Sequence, residues 1–573
     1  MHLRAAEPVY NIRMRLWRVS LSPFHCSMLS DGIKGLLLLS LILIVPSSAL
    51  NNGVGVTPAM GWNPYNAFLC DTTEDDYRAA AQALVDLGLA DTGYKYMNLD
   101  CGWQGTERDS DGGFTWDSSI IPSGIPALAD YVHSLGLKFG LYSDGGYYAC
   151  DFVGGTAHYL GSLGHEEEDA ESFASWGADY LKYDNCYAVS ETDFVDFDPP
   201  IVIKDHFVTM RDALAATDRP IVFSACEWGV QDPARWPGSE VANSWRISND
   251  IGPPASWDSI FRILNQVVPI TQFAQPGGWN DLDLLYVGSN LLTAAEQQTH
   301  FAFWSAVKSP LMISTDLTSI SNDVLGILLN ERIIALNQDP LGKPISFKRR
   351  YANDHDVWSG PLSDGSTVVV VINFQTNATR SLKFQLADVG LSSARAVDLI
   401  TGNSLGTLTT SYTATVAAHG SLVLKLMNDV PIAAPRFTYY EAAASSSILA
   451  GGAKTRQVNS SVSVVGFVGN GGTLTITGVD GGTGGTKLLS FDYINGDVAF
   501  SNSVCSNCRN AYISVNGGDA VQAQMPLSAQ SWDIVFAGFL ISASGFKGGT
   551  ENIIEIFNND GYTPDFYRMG VVI

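Results

Sequence analysis

Asp184 and Asp250 are the residues of this chain with the clearest capacity for chemistry. Each closes a short apolar segment, Leu181-Lys182-Tyr183-Asp184-Asn185-Cys186 and Trp245-Arg246-Ile247-Ser248-Asn249-Asp250. An aspartate ending a buried strand faces the mouth of the sheet that carries it, so two of them can face each other across a bound molecule. Such a pair flanking a sugar cleaves a glycosidic bond, with retention at a separation of about 5 Å and inversion at about 6.5–9.5 Å. A lone aspartate is more often a turn or cap residue, so the case rests on the pair. Lys182 stands two residues before Asp184, on the same side of an extended strand. Its ammonium lowers the carboxylate's pKa and can donate to a hydroxyl. Trp62, Trp103, Trp228 and Trp279 also fall at segment ends. Aromatic faces stack on the apolar faces of sugar rings, although packing above a sheet would use them equally.

Residues 50–342 supply these segments. Pro58–Trp62, Tyr96–Asp100, Lys138–Ser143, Asp179–Asp184, Ile221–Cys226, Ser244–Ser248, Gln272–Trp279 and Leu311–Ser314 read as strands. Amphipathic stretches such as Tyr77–Leu87 and Ala170–Trp176 separate most of them. This α/β pattern predicts a (β/α)8 barrel, with the polar clusters at the carboxyl ends of its strands, where such barrels carry their chemistry. Across residues 343–428 the pattern becomes alternating, as in Val368–Ile372 and Ser421–Leu426, which predicts a small antiparallel β-sandwich domain. Residues 429–436, with Pro431, Ala433, Ala434 and Pro435, read as a linker. Residues 437–573, rich in glycine and poor in lysine, read as an all-β jelly-roll module that shares few contacts with the rest.

The chain has 573 residues, more than one ordinary domain, and 46% hydrophobic against 16% charged residues, which excludes disorder. A net charge of −25, spread along the chain, disfavours nucleic acid as a partner. Lys34 precedes the apolar run Gly35–Val45, and Pro46-Ser47-Ser48-Ala49 follows. Residues 1–49 therefore read as a leader and secretory signal whose apolar run is too short for a membrane span, and the product as extracellular. The arginine-bearing stretch before Met28 makes that methionine an alternative start. Asn377-Ala378-Thr379 and Asn459-Ser460-Ser461 are glycosylation acceptors in a secreted chain. Cys26 lies in the leader. Cys505 and Cys508 have no second pair nearby, which favours a local disulfide over zinc. Cys70, Cys101, Cys150, Cys186 and Cys226 are odd in number, so at least one is a free thiol.

Taken with Met60-Gly61-Trp62-Asn63, Asp100-Cys101-Gly102-Trp103, Cys226-Glu227-Trp228-Gly229 and Gly277-Gly278-Trp279-Asn280-Asp281, the two carboxylate segments resemble the melibiases, the α-galactosidases of glycoside hydrolase family 27. Residues 356–362, Asp-Val-Trp-Ser-Gly-Pro-Leu, resemble that family's small β domain. The resemblance implies exo-acting, retaining hydrolysis of terminal α-galactose on oligosaccharides or polysaccharides, without a cofactor or a catalytic metal. It makes Asp184 the nucleophile and Asp250 the general acid/base. It places Asp100 at the axial 4-hydroxyl, Lys182 near the 3-hydroxyl, Arg246 near the 2-hydroxyl and Trp62 along the sugar face. Tyr142, Cys226 and Trp228 take further subsite positions. It also implies Cys70–Cys101 and Cys150–Cys186 disulfides, with Cys226 as the odd thiol.

One departure stands out. Many members carry an Asp-Asp pair whose second aspartate reaches the 6-hydroxyl, whereas this chain has Asp100-Cys101. Either Cys101 replaces that aspartate or the loop is one residue shorter and Cys101 is a half-cystine. A β-L-arabinopyranosidase, acting on a pentose without the 6-carbon, is therefore an alternative. An α-N-acetylgalactosaminidase is another, disfavoured by the bulk of Cys226-Glu227-Trp228, and a non-catalytic galactose-binding protein a third, disfavoured by retention of both carboxylates. The last segment resembles a family 35 carbohydrate-binding module through Tyr439-Tyr440-Glu441-Ala442 and Pro564-Asp565-Phe566-Tyr567-Arg568. That likeness implies a structural calcium with Glu441 and Asp565 as ligands.

Overall fold

The computed structural model describes residues 50–154, 157–194, 202–236, 240–351, 354–502 and 506–573. The leader, Cys26 and Cys505, and with Cys505 the expected bond to Cys508, lie outside them. Eight parallel strands form the first sheet: Met60–Trp62, Tyr96–Asn98, Lys138–Asp144, Tyr180–Asp184, Val222–Ala225, Ser244–Arg246, Trp279–Asp281 and Leu311–Ile313. They neighbour one another in chain order, with the eighth beside the first. Leu285, just past the seventh strand, bridges in parallel to Ile313 of the eighth. Residues of these strands are buried on both faces, which is why they read as continuous apolar runs.

Seven of the strands lie where the sequence predicts them. The seventh in order is displaced: Thr271–Phe273 is a 3-10 turn, Gln275 and Gly278 close a tight bend, and extended pairing begins only at Trp279. Helices connect most of the strands, whereas between the fifth and sixth the described residues hold only the 3-10 turn Pro233–Arg235. Glu74–Asp86 starts at a reciprocal cap, in which Thr73 Oγ1 accepts from the Asp76 amide and Asp76 Oδ2 accepts from the Thr73 amide. Trp257–Val267 starts at a similar box between Ser256 and Ser259. This second helix is buried from Ser259 to Val267, its polar Arg262, Asn265 and Gln266 included.

Residues 346–431 form an eight-stranded antiparallel sheet. Its alternation serves two cores at once. Val368, Val370 and Ile372 join the core of the first sheet, while Val369 and Val371 pack with Val357, Leu424 and Leu426 on the opposite face. The C-terminal region pairs into two antiparallel sheets, of six and five strands. Between them lies a core that includes Phe491, Tyr493, Ile513, Met525, Ile556, Phe566 and Met569.

Two expectations about this last region are corrected. The predicted linker begins inside a strand: Ser421–Pro431 takes in its first three residues, with Val430 opposite Ser393 and Pro431 opposite Leu391, and only 432–436 connect without regular structure. The region also does not stand apart, because residues 47–573 are one compact unit. Arg350, 2% exposed, pairs with Asp356 at 2.7 Å and donates to Asn265 Oδ1 at 2.8 Å and to the Gln524 carbonyl at 3.4 Å, joining all three folding regions. Asn265 donates to the Ser506 carbonyl at 2.9 Å and Asn507 to the Arg262 carbonyl at 3.2 Å. The buried polar face of Trp257–Val267 is thus a docking face. Among the described residues no helix is long and apolar enough to cross a membrane.

Candidate active site

A cavity of about 460 Å³ opens at the carboxyl ends of the parallel strands. Tyr65, Asp100, Cys101, Tyr142, Lys182, Asp184, Trp228 and Asp250 are among its walls. Lys182 and Asp184 come from the fourth strand, in register with Tyr142 and Asp144 of the third. Asp100 follows the second strand, Trp228 the fifth and Asp250 the sixth.

Asp100 is buried, with hydrogen bonds on both carboxylate oxygens. Its Oδ2 accepts from Lys182 Nζ and from Asn63 Nδ2, both at 2.7 Å, and its Oδ1 accepts from the Cys101 amide at 3.0 Å. Burial alone would pull the Lys182 ammonium down, but the charges of Asp100 and Asp184 outweigh it and hold the group well above its ordinary value. The ammonium also lies 5.2 Å from the Tyr142 ring centre and 5.5 Å from that of Tyr65.

The Asp184 carboxylate accepts from Trp228 Nε1 at 2.8 Å and from the Asn185 amide at 3.1 Å, both on Oδ1. Trp228 holds this position from a left-handed backbone, φ 60°, and Gly229 follows at φ 75°. A Cβ at Gly229 would come within 1.9 Å of the Ile247 carbonyl, so the turn lies directly on the loop leading to Asp250. Lys182 does lower the Asp184 pKa, as the sequence suggests, but other contributions outweigh it. Burial raises it, Lys182 pulls it down, Asp250 and Asp100 raise it again, and the balance is upward in the empty cavity.

Asp250 stands differently. Its side chain is 48% exposed and meets Arg246 Nη2 at 2.9 Å. The same nitrogen donates to Asp283 Oδ2 at 2.9 Å, and that oxygen also accepts from the Ile251 amide at 2.7 Å. Burial, tempered by Arg246, pushes Asp283 up to about 6. One carboxylate is therefore enclosed and the other open to water, with cations beside both.

Three expected site residues do not line this cavity. Trp62 is fully buried, its Nε1 donating to the Thr315 carbonyl at 2.9 Å and its ring meeting Phe68 edge-on. Cys226 is a buried free thiol with Arg246 Nη1 at 3.6 Å from its sulfur, and both line a small void beneath the site. Trp103 and Trp279 are core residues, one stacked on Phe114 and the other donating to the Gly55 carbonyl. Cys70–Cys101 and Cys150–Cys186 are both disulfides, and all four cysteines border the cavity. Cys101 is thus the half-cystine of the two possibilities. Tyr65, Asn63, Asn249 and Asp283 were not singled out from sequence. Asn63 lay in the quoted Met-Gly-Trp-Asn segment, and Asp283 continues the period-two spacing from Asp281.

Elsewhere, Asn377 and Asn459 are exposed. Of the expected calcium ligands, Asp565 is already paired with Arg456 at 2.7 Å, and Glu441 is exposed at a strand end opposite Arg568. An ion there would meet one carboxylate whose charge is already balanced.

A parallel eight-stranded sheet with Asp184 and Asp250 in one cavity at its carboxyl ends is an arrangement suited to a glycoside hydrolase. Residues 57–339 match the family model described as alpha galactosidase A, and residues 352–426 that of the alpha galactosidase C-terminal beta sandwich domain. An Aspergillus fumigatus protein named "Probable alpha-galactosidase D" is 38% identical over 659 residues, covering 95% of this chain and 100% of that one. The crystal structure of alpha-galactosidase I from Mortierella vinacea matches with 35% identity and a TM-score of 0.61, covering 67% of this chain and all of that one. The Saccharomyces cerevisiae alpha-galactosidase solved with raffinose matches at 33% identity and a TM-score of 0.60, over 67% of this chain and all of that one. The chain belongs to the α-galactosidase (melibiase) family of glycoside hydrolases.

Proposed function

We propose that the chain is a secreted, retaining exo-α-galactosidase that removes terminal α-D-galactose from oligosaccharides and galactomannan by double displacement, without a cofactor. The observation that carries this reading is the meeting of Asp184 and Asp250 in one cavity, the first enclosed and the second open to water. Asp184 attacks the anomeric carbon as Asp250 gives its proton to the departing glycosidic oxygen, leaving a β-linked glycosyl-enzyme. Asp250, now ionised, takes a proton from water, and the resulting attack from the α face frees α-galactose and returns Asp184 as a carboxylate. Trp228 occupies Oδ1 of Asp184 and so leaves the other oxygen for attack. Exposure of Asp250 suits a group that must exchange its proton with solvent each turnover. Asp100 and Lys182, locked together, present an acceptor and a donor to ring hydroxyls. The names of the relatives support the substrate, and two disulfides beside the site support an oxidising compartment. The bridge between Leu285 and Ile313 supports closure of the sheet into a barrel.

A second cavity, of about 310 Å³ and bordered by Phe467, Trp532, Tyr562, Arg456, Arg509 and Asp565, lies in the C-terminal region. It supports reading that region as a carbohydrate-binding module. The Cys70–Cys101 disulfide in the wall of the main cavity favours one alternative substrate, β-L-arabinopyranoside, because no carboxylate stands at position 101 for a 6-hydroxyl. Rates on aryl α-galactoside, β-L-arabinopyranoside and α-N-acetylgalactosaminide decide among these. The galactoside is expected to be fastest, and a faster arabinopyranoside would overturn the substrate assignment.

A further inference from the structure

The loop that carries Asp250 is held by Arg262 of the helix Trp257–Val267 and, beyond the parallel-strand domain, by residues of the C-terminal region. Arg262, 1% exposed, donates from Nη1 to the side chains of Ser248 and Asn249 and from Nη2 to the Asp250 carbonyl at 2.9 Å. Its remaining donor, Nε, goes to Asn502 Oδ1 at 2.8 Å. Asn249 in turn donates to the Phe500 carbonyl at 2.6 Å. A separate contact reaches the other side of the cavity. Gln530 Nε2 donates to the Gly229 carbonyl at 2.7 Å, directly after the tryptophan that donates to Asp184.

These contacts are not incidental surface pairs. A planar guanidinium with all three nitrogens engaged fixes both position and orientation of what it holds. Three consecutive residues, Ser248, Asn249 and Asp250, hang on Arg262, and the Nε bond to Asn502 decides how that guanidinium is turned. The Ala499 amide donates to Asn507 Oδ1 at 2.7 Å, and Asn507 donates to the Arg262 carbonyl, so the strip Ala499–Asn502 is itself anchored to the helix it contacts. The left-handed Trp228–Gly229 turn needs outside support to persist, and Gln530 supplies part of it.

We propose that Asn502 and Gln530 of the C-terminal domain are positioning residues for hydrolysis, Asn502 setting Asp250 through Arg262 and Gln530 setting Trp228 against Asp184. The domain then belongs to the catalytic body whatever sugar it binds itself. This inference rests on the reading of Asp250 as acid/base.

The test uses the full chain with Asn502→Ala, Asn502→Asp and Gln530→Ala. Asn502 is exposed, so its truncation should leave the thermal midpoint unchanged. Misplacing the acid should lower kcat about tenfold on an alkyl galactoside, whose leaving group needs a proton, and much less on an activated aryl galactoside. Asn502→Asp keeps an acceptor for Arg262 Nε and should restore the alkyl rate. Gln530→Ala should lower kcat on both substrates, since Trp228 serves the attacking carboxylate in each. Asn502→Ala kinetics equal to wild type, or an equal loss on both substrates with a lowered midpoint, would overturn the proposal. Asp250→Ala run alongside separates the two failures. If it shows no leaving-group dependence, the acid/base reading has failed. If it does while Asn502→Ala stays silent, only the positioning has failed.

Discussion

Asp151 offers a stability prediction whose size follows from the structure. Its carboxylate sits against the Cys70–Cys101 disulfide, largely buried, and among the described residues neither oxygen has a hydrogen-bond partner on another residue. Burial, aided by the charges of Asp100 and Asp184 and opposed by its own amide, pushes its pKa from 3.8 to about 7. A carboxyl raised on folding is bound more tightly by protons in the native state. Its contribution is therefore neutral below the unfolded value, turns destabilising as pH rises, and is complete above the folded value. The loss between pH 4 and pH 8 amounts to about 4 kcal/mol, each unit of difference being worth about 1.4 kcal/mol. Asp151→Asn keeps the shape and removes the titration. The variant and wild type should melt close together at pH 4, and the variant should melt higher by several degrees at pH 8. Differential scanning calorimetry of both proteins across that range provides the measurement. A gap that stays constant with pH, or one that favours wild type at pH 8, would refute the argument.

Other expectations are simpler. Asp184→Asn should lower kcat by about 10⁴-fold or more with the fold intact, as circular dichroism would report; retention of a tenth of the rate would be incompatible with a nucleophile there. Peptide mapping without reduction should find Cys150 joined to Cys186 and Cys226 as a free thiol; a free Cys150 or Cys186 would contradict the site geometry. Deletion of residues 437–573 should cost folding or small-substrate activity, because it strips partners from Arg262, Asn265 and Arg350. A fully active truncated enzyme would show that the docking is dispensable.

Much of the fold was legible because parallel strands buried on both faces leave unbroken apolar runs between amphipathic stretches. The seventh strand was misplaced because Gln272–Gly278 mixes apolar, proline and glycine residues in a way that suits a tight bend as well as an edge. Both carboxylates were legible from their strand-end segments. Whether a strand-end tryptophan faces a cavity or a core was not, since Trp62, Trp103, Trp228 and Trp279 share the same local pattern and only Trp228 lines the site. The sign of the Asp184 shift was also hidden, because it depends on how burial balances Lys182, and burial comes from residues distant in sequence. The docking of the C-terminal domain left no signature at all. Among its contacts, the Asn249, Arg262 and Asn265 side chains reach oxygens 251, 240 and 241 positions away, without periodicity. A stretch of alanine and proline suggested separation, yet it is a five-residue connection, 432–436, between strands of two regions that dock on each other.

The central claim, that Asp184 and Asp250 divide the labour of double displacement, meets its most direct test in Asp250→Ala with azide. An activated aryl galactoside needs little protonation to react, so the glycosyl-enzyme should form and then accumulate for want of a base. Azide needs no base, and its attack on the β-linked intermediate from the face Asp250 occupied should restore turnover and yield α-galactosyl azide. β-Galactosyl azide, or no rescue with that substrate, would contradict the assignment of Asp250.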